Sequence, residues 1–207
     1  AALTRMCRMV IATYQRDELL PALLTHLTSS PPPSLRHIVV VWQNIGVPLP
    51  ALLLPPSLDQ LSTSGVAVSV RKSLVNSMNE RFRPMLDWGL PLDTEAVMIM
   101  DDDIILLRDS LEWGFQTFRE SNPAGSDPNA GRIVGFAGRD WERTAKGEWG
   151  YVVQPHKTYS MVLSNAAWFR REWLERYWAD DDETVALRAY VDEGALSSGC
   201  RRARAER

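Results

Sequence analysis

Four short, strongly apolar runs in the first half of the chain most limit what it can fold into. The run HIVVVW is apolar almost throughout, which is typical of a strand covered on both faces. Between the runs lie a leucine-striped segment, which we expect Asp17 to cap, and the segment Asn76–Leu90; both predict helices. This alternation predicts an α/β fold with a mostly parallel sheet flanked by helices. The four runs are Arg8–Thr13, His37–Trp42, Val66–Val70 and Ala96–Met100.

The second half of the chain carries weaker signals. A chain of 207 residues with 45% hydrophobic content fits one domain with its own core. We expect that domain to span residues 1–193, followed by a disordered tail at 194–207. The predicted helices are Asp109–Arg119 and Arg170–Trp178, and the predicted strands are Arg132–Phe136, Trp149–Val153 and Ser160–Leu163.

An acidic triplet, Asp101, Asp102 and Asp103, follows the fourth apolar run directly. In open α/β sheets the carboxyl ends of the strands form the rim where ligands bind. Because side chains alternate along a strand, Asp101 and Asp103 should face one way and Asp102 the other. Two carboxylates on one side repel each other, and a divalent cation or a set of donors would relieve that repulsion. The triplet therefore predicts a ligand or metal site.

A second acidic triplet, Asp180–Asp182, stands in a different context. It follows Tyr177 and Trp178 rather than a strand, and it precedes a run with helical character from Glu183. Carboxylates at that position offset the unpaired N–H groups of a helix start. The sequence therefore predicts a capping turn here, and a capping or surface role for Asp192 later in the same run.

Polar side chains also follow the other predicted strands. Arginine forks suit phosphate oxygens, whereas amide side chains suit a base or a sugar. Each alone has an ordinary alternative, since such arginines form surface ion pairs and such amides shape turns. Their concentration at one edge of the sheet predicts a site for a metal-bound sugar diphosphate. The residues are Arg16, Gln43, Asn44, Asn76, Asn79 and Arg81.

In their order along the chain, these motifs resemble the exostosin-like glycosyltransferases, in which the acidic triplet is the DXD motif. The resemblance implies a Rossmann-like glycosyltransferase A fold, with a nucleotide-binding half at about 1–107 and an acceptor half at about 108–193. It also implies transfer of a sugar, N-acetylhexosamine or a relative, from a UDP-sugar with retention. The matching segments are Ile11–Arg16, Val40–Gly46, Asn76–Arg81, Met98–Asp103, Gly135–Arg139 and Tyr159–Leu163.

The resemblance implies roles for individual positions. Arg16, Asn76 and Arg81 fall where the family binds uridine diphosphate, and Gln43 falls where the family can place an Asn against the nucleotide. Asp101 and Asp102 would contact the uridine and ribose side of the nucleotide. Asp103 would bind Mn²⁺ bridging the diphosphate, a metal that suits oxygen ligands.

The chain departs from the family pattern after residue 193. The family continues with an Asn-Cys-Asp-Asp segment, one of whose aspartates lies at the reacting sugar, whereas this chain reads GALSSGCRRARAER. We therefore expect the catalytic acid to be absent and assign no catalytic residue. Two alternatives stay open: a degenerate module that binds a nucleotide-sugar without transfer, and a metal-dependent phosphohydrolase or nuclease whose carboxylates activate water.

Charge and hydropathy set the expected partners. A net charge of -3, with no basic face before the C-terminus, argues against nucleic acid as a ligand. No apolar run is long enough to span a membrane, and the N-terminus lacks a signal-peptide pattern. The family resemblance implies a UDP-sugar donor and a glycan or glycolipid acceptor. It also implies a place in the endoplasmic reticulum or Golgi lumen, anchored through a segment outside this sequence.

Overall fold

A computed structural model describes residues 4–62, 65–90, 94–127, 130–143, 145–152 and 159–192. Its large sheet contains four neighbouring parallel strands, one of which forms an edge of the sheet. Their spatial order is β3-β2-β1-β4, and each neighbouring pair is parallel. Each strand overlaps one of the four predicted apolar runs, which confirms the predicted α/β fold. The strands are β1 (Thr4–Thr13), β2 (Leu35–Trp42), β3 (Ala67–Lys72) and β4 (Thr94–Asp101).

Five shorter strands follow in the second half of the chain. The strand β9 pairs antiparallel with β4, and β5 pairs antiparallel with β9, which completes a six-stranded sheet. A separate three-stranded sheet has the order β7-β6-β8. The sequence did not predict β9 or β6, because β9 is short, lacks alternation and runs directly into a helix. The bounds are β5 Val134–Gly135, β6 Gly138–Arg143, β7 Trp149–Val152, β8 Met161–Val162 and β9 Ala166–Arg170.

The helices cover both faces of the large sheet. On one face α1 and α3 pack their buried leucines and phenylalanines over Met9 and Ile11, and on the other Met85 and α4 cover Val10. Close packing explains Gly114 in α3, where an added Cβ would lie 2.5 Å from the Trp168 ring. The helices are α1 (Leu20–Ser29), α2 (Ser57–Leu61), α3 (Arg108–Ser121), α4 (Arg171–Tyr177) and α5 (residues 182–192).

The prediction of one helix over Asn76–Leu90 is wrong. The segment instead forms two short 3₁₀ turns, Met78–Phe82 and Met85–Trp88. Pro84 explains the break, since proline disfavours helical backbone in the preceding residue, and Arg83 is extended with ψ 142°. The first turn begins at Ser77, whose hydroxyl accepts a hydrogen bond from the Asn79 amide at 3.0 Å. The irregular backbone leaves residues 76–83 dependent on tertiary contacts.

The expected capping role of Asp17 is also wrong. The first helix begins at Leu20 after Leu19, and no side chain caps it. The turn before it closes instead through the Leu19 amide, which donates to the Arg16 carbonyl at 3.0 Å. Over the described residues, no helix combines the length and apolar character needed to cross a membrane. The predicted tail at 194–207 lies outside those residues.

Candidate functional site

The first acidic triplet lies at the topological switch point of the large sheet. The chain crosses from β1 to β2 and β3 on one side, and β4 lies on the other side of β1. Asp101 is the last residue of β4 and pairs in register with Ala12 near the end of β1. A crevice outside the carboxyl ends of two such strands is where open α/β sheets bind ligands.

Arg16, in the loop after β1, holds two members of the triplet. Its Nη1 lies 2.5 Å from Asp103 Oδ2 and 3.3 Å from Asp102 Oδ1. Asp101 pairs with Arg81, whose Nη1 lies 2.5 Å from Asp101 Oδ1. The expected pairing of Asp101 with Asp103 on one side is therefore wrong. The strand ends at Asp101, so the alternation does not extend through the turn at residues 102–103.

Asp102 is the buried member of the triplet. Burial raises the pKa of its carboxyl, while the charge of the Arg16 guanidinium opposes that shift. Within the described residues, neither Asp102 Oδ2 nor Thr13 Oγ1 completes a hydrogen bond, although both are buried. The neighbouring Asp103 carboxylate raises the pKa of Arg16, so this cation stays charged. The rim therefore combines a fixed cation with a buried acceptor that has no partner.

The predicted site amides after β2 hold loops together. Gln43 and Asn44 are buried. Gln43 Nε2 donates to the Ser77 carbonyl at 2.5 Å, and Asn44 Oδ1 accepts from the Gln15 amide at 2.6 Å. The second bond supports Gln15 in a left-handed conformation with φ 54°, which is uncommon for a residue other than glycine. Asn44 thus supports the loop that carries Arg16, and Gln43 binds the start of the segment that carries Arg81. The contact of either amide with a ligand stays a prediction.

Asn76 and Asn79 lie in the same segment but in different surroundings. Asn76 is exposed, and its place in the binding site stays a prediction. Asn79 is only 2% exposed, and its amide is engaged on both sides. Its Nδ2 donates to the Arg188 carbonyl at 3.0 Å, and its Oδ1 accepts from the Tyr177 hydroxyl. Of the two, Asn76 is the one that a ligand at the rim could reach directly.

Two carboxylates near this segment were not identified as site residues. Glu80 is buried and accepts from Ser73 Oγ at 2.7 Å, with Arg71 and Arg83 also bound to it. Asp192 accepts a hydrogen bond from the Ser77 hydroxyl, although 115 positions separate the two residues. The expectation of a capping or surface role for Asp192 is thus wrong. The sequence carries no signal for these contacts, because their partners are distant or lie in an irregular segment.

The second acidic triplet behaves as predicted. Asp181 Oδ1 accepts from the Thr184 backbone amide at 2.9 Å, as an N-cap carboxylate does at the start of α5. Hydrogen bonds from Thr184 lower the pKa of Asp181. All three members of this triplet are exposed.

The rim can supply only part of a metal's coordination. Within the described ranges, no group of three or more His, Cys, Asp or Glu side chains is arranged to hold a metal ion. Divalent cations at phosphate sites commonly take one or two protein carboxylates and complete their shell with substrate phosphates and water. Asp103, with its side chain 46% exposed, fits that incomplete kind of site.

Several curated proteins are similar to this chain in sequence. Mouse (Mus musculus) exostosin-like 2 is 28% identical over 193 residues, covering 89% of this chain and 52% of that protein. Mouse exostosin-2 is 32% identical over 165 residues, covering 78% of this chain and 20% of its own length. Glucosamine inositolphosphorylceramide transferase 1 of Arabidopsis thaliana is 32% identical over 163 residues, covering 78% and 18%. The chain thus spans about half of the first relative and about a fifth of the others.

A solved structure and a family profile give the remaining comparisons. The structure of GalNAc-T7 with UDP, GalNAc and Mn²⁺ superposes with a TM-score of 0.52 at 12% identity, covering 85% of this chain and 37% of that chain. At that identity the likeness concerns the fold alone, which is the glycosyltransferase A fold. The profile described as the glycosyl transferase family 64 domain matches residues 7–198. The chain therefore belongs to glycosyl transferase family 64, the family that contains the exostosins.

Proposed function

We propose that this domain binds a UDP-sugar with Mn²⁺ at the rim of the large sheet and transfers the sugar, an N-acetylhexosamine, with retention. The acceptor in this proposal is a glycan or a glycolipid. The names of its relatives support a transferase, one of them acting on inositolphosphorylceramide. The neighbour in fold, GalNAc-T7, was solved with UDP, GalNAc and Mn²⁺.

One observation carries the proposal: two arginines from separate segments converge on the acidic triplet. Arg16 comes from the loop after β1, and Arg81 comes from the 3₁₀ turn that follows β3. Each guanidinium is paired with a carboxylate of the triplet. A diphosphate and its metal would bring opposite charges to the same place, so the arginines could turn to phosphate oxygens while the carboxylates turned to the metal.

Each residue of the rim then has a distinct task. Arg16 and Arg81 would bind the two phosphates and fix their orientation. Asp103 would hold the metal. Asp101 and Asp102 would contact the uridine and ribose, and Asn76 would contribute an exposed amide. When bound, the metal supplies Lewis-acid stabilisation of the departing diphosphate. We assign no catalytic acid, since the family position for it follows residue 193 and lies outside the described residues.

Isothermal titration calorimetry of UDP with and without Mn²⁺ tests the donor site. We expect Asp103→Ala to remove the metal-dependent part of the affinity, a loss at least as large as the roughly 10- to 100-fold that follows mutation of residues supporting a metal ligand. Asp180→Ala, in the exposed second triplet, is the matched control and should leave the affinity unchanged. Equal UDP affinity of both variants, with and without the metal, would contradict the proposed site.

A screen of UDP-sugars separates transfer from binding. Metal-dependent release of UDP in the presence of a glycan or glycolipid acceptor supports a transferase. Tight UDP binding without turnover would favour the degenerate binding module. Hydrolysis of phosphodiesters without sugar specificity would favour the phosphohydrolase or nuclease. A location in the endoplasmic reticulum or Golgi lumen, with a membrane anchor outside this sequence, stays a prediction of the family resemblance.

A further inference from the structure

Residues 177–192 contact the Ser77–Arg83 segment at several points. We call the residues that make these contacts the clamp. The segment is irregular, and its backbone hydrogen bonds alone leave it weakly supported. The clamp comes from the end of α4 and from α5, about 100 positions later in the chain. Its members are Tyr177, Trp178, Arg188 and Asp192.

The centre of the clamp is Asn79. Both functions of its side-chain amide bind clamp residues, one the Arg188 carbonyl and the other the Tyr177 hydroxyl. A buried amide with both functions satisfied has one favourable orientation, because any rotation leaves a buried polar atom without a partner. Asn79 therefore fixes the middle of the 3₁₀ turn to the C-terminal part of the domain.

Contacts between guanidinium groups and the Trp178 ring form the second part of the clamp. Two guanidinium groups lie over the Trp178 ring, that of Arg83 at 4.0 Å and that of Arg188 at 4.9 Å from its centroid. Arg188 also donates to the carbonyl groups of Tyr177 and Ala179. Its planar fork is thus oriented by hydrogen bonds while its face contacts the ring, a combination that lysine cannot reproduce.

Contacts at both ends of the segment complete the clamp. The Ser77 hydroxyl donates to Asp192, and the Phe82 ring packs against the Tyr177 ring with centroids 5.2 Å apart. Arg81 lies between these contacts, and its side chain extends to Asp101 at the rim. The geometry of the clamp therefore decides where the Arg81 guanidinium stands.

We propose that Tyr177 and Arg188 are positioning residues that hold Arg81 at the diphosphate position of the donor site. This inference rests on the proposed function, and it concerns residues that do not themselves reach the rim. The physical reason is preorganisation: a guanidinium already in place loses less freedom when it binds a phosphate. The clamp thus makes donor binding depend on the end of the second half of the domain.

The first test needs no ligand. In the native fold Arg81 Nε is buried, and its Nη1 is bound to Asp101, so the Nε proton should exchange slowly with solvent. We expect Arg188→Ala and Tyr177→Phe to accelerate this exchange by about 10-fold, as measured by ¹⁵N nuclear magnetic resonance, while the core strand amides stay protected. Tyr190→Phe removes the hydroxyl of an exposed tyrosine in α5 and is the matched control. Unchanged exchange at Arg81 in both clamp variants would overturn the proposal.

The second test measures coupling to the ligand. Arg188→Ala should weaken Mn²⁺-dependent UDP binding by about 10-fold in the native background, but by less than about 2-fold when Arg81 is already Ala. Equal losses in both backgrounds would show that the clamp acts on the fold in general and would contradict the proposal. Should Arg188→Ala fail to fold, Tyr177→Phe gives the same cycle with a milder change. If the native chain does not bind UDP, the proposed function fails, and the exchange measurement still decides the role of the clamp.

Discussion

Two carboxylate networks involve residues of the Met78–Phe82 turn, and they differ in how many of their oxygens accept hydrogen bonds. In the first network, Glu80 is 2% exposed, and both of its oxygens have donors. Its Oε2 binds Ser73 at 2.7 Å and Arg71 at 3.2 Å, and its Oε1 binds Arg83 at 2.8 Å. Every acceptor in this network has a donor.

At the rim the balance is different. Asp102 is nearly as buried, at 6% exposed, but its Oδ2 has no hydrogen-bond partner among the described residues. A saturated network stabilises the fold, whereas an unsatisfied buried acceptor costs stability until something binds it. Burial alone therefore does not show whether a carboxylate stabilises the fold or binds a ligand. The completeness of its hydrogen bonding distinguishes the two roles. Binding sites are places where such local costs persist.

The largest expected effect is a loss of stability on breaking the saturated network. Glu80→Gln keeps the shape of the side chain but leaves Arg71 and Arg83 without their carboxylate. We expect the free energy of unfolding to fall by about 3 kcal/mol, the lower end for a broken buried pair, because both guanidinium groups are partly exposed. Urea unfolding at neutral pH measures the change.

The same experiment at the rim supplies the control for Glu80. Asp101 belongs to a single pair with Arg81, and its side chain is 30% exposed. Asp101→Asn should therefore cost less than about 1 kcal/mol, as partly exposed pairs do. If both variants lose the same stability, the distinction between the two networks is wrong.

The next expected effect is a gain in the free energy of unfolding rather than a loss. Burial raises the pKa of Asp102, so the folded chain holds a proton on this group more readily than the unfolded chain does. Ionised Asp102 consequently lowers the stability of the metal-free protein, and Asp102→Asn should raise the free energy of unfolding by about 0.5 to 1 kcal/mol. The gain should come with weaker UDP binding. A clear loss of stability in this variant would show that the rim, like the Glu80 network, is built for stability.

The contrast also explains what the sequence could predict. Apolar runs predicted all four parallel strands. The strands β2 and β4 are buried almost throughout, and β3 has an apolar alternation with partial burial, so each pattern depends on no distant partner. The rim followed from them, since strand ends place Arg16 and Asp101 at one edge. The antiparallel strand β9 was not predicted because its five residues show neither hydrophobic alternation nor a turn signal. The helix predicted over Asn76–Leu90 was wrong because Pro84 interrupts the helical pattern.

The sequence predicted where the polar residues of the site lie better than it predicted their hydrogen-bond partners. Asn79 was expected to face a ligand, yet its amide is engaged by Tyr177 and the Arg188 carbonyl, about 100 positions away. Glu80 was not identified at all. An amide or carboxylate in a loop has many possible partners, and only tertiary packing selects among them. Local sequence can indicate that a polar group lies at a rim, but not which of its neighbours are satisfied from within.

The smallest expected effect belongs to the exposed second triplet. Hydrogen bonds from Thr184 lower the pKa of Asp181 below its usual value of 3.8, so its stabilising effect is present at neutral pH and is lost as the pH falls through the folded-state pKa. Asp181→Ala should therefore unfold at slightly lower urea concentration than the native chain at pH 7, and this difference should shrink at about pH 3. Asp180→Ala provides the control, and it should show no such change with pH. A difference for Asp181→Ala that is the same at both pH values would mean that its carboxylate does not act as a cap.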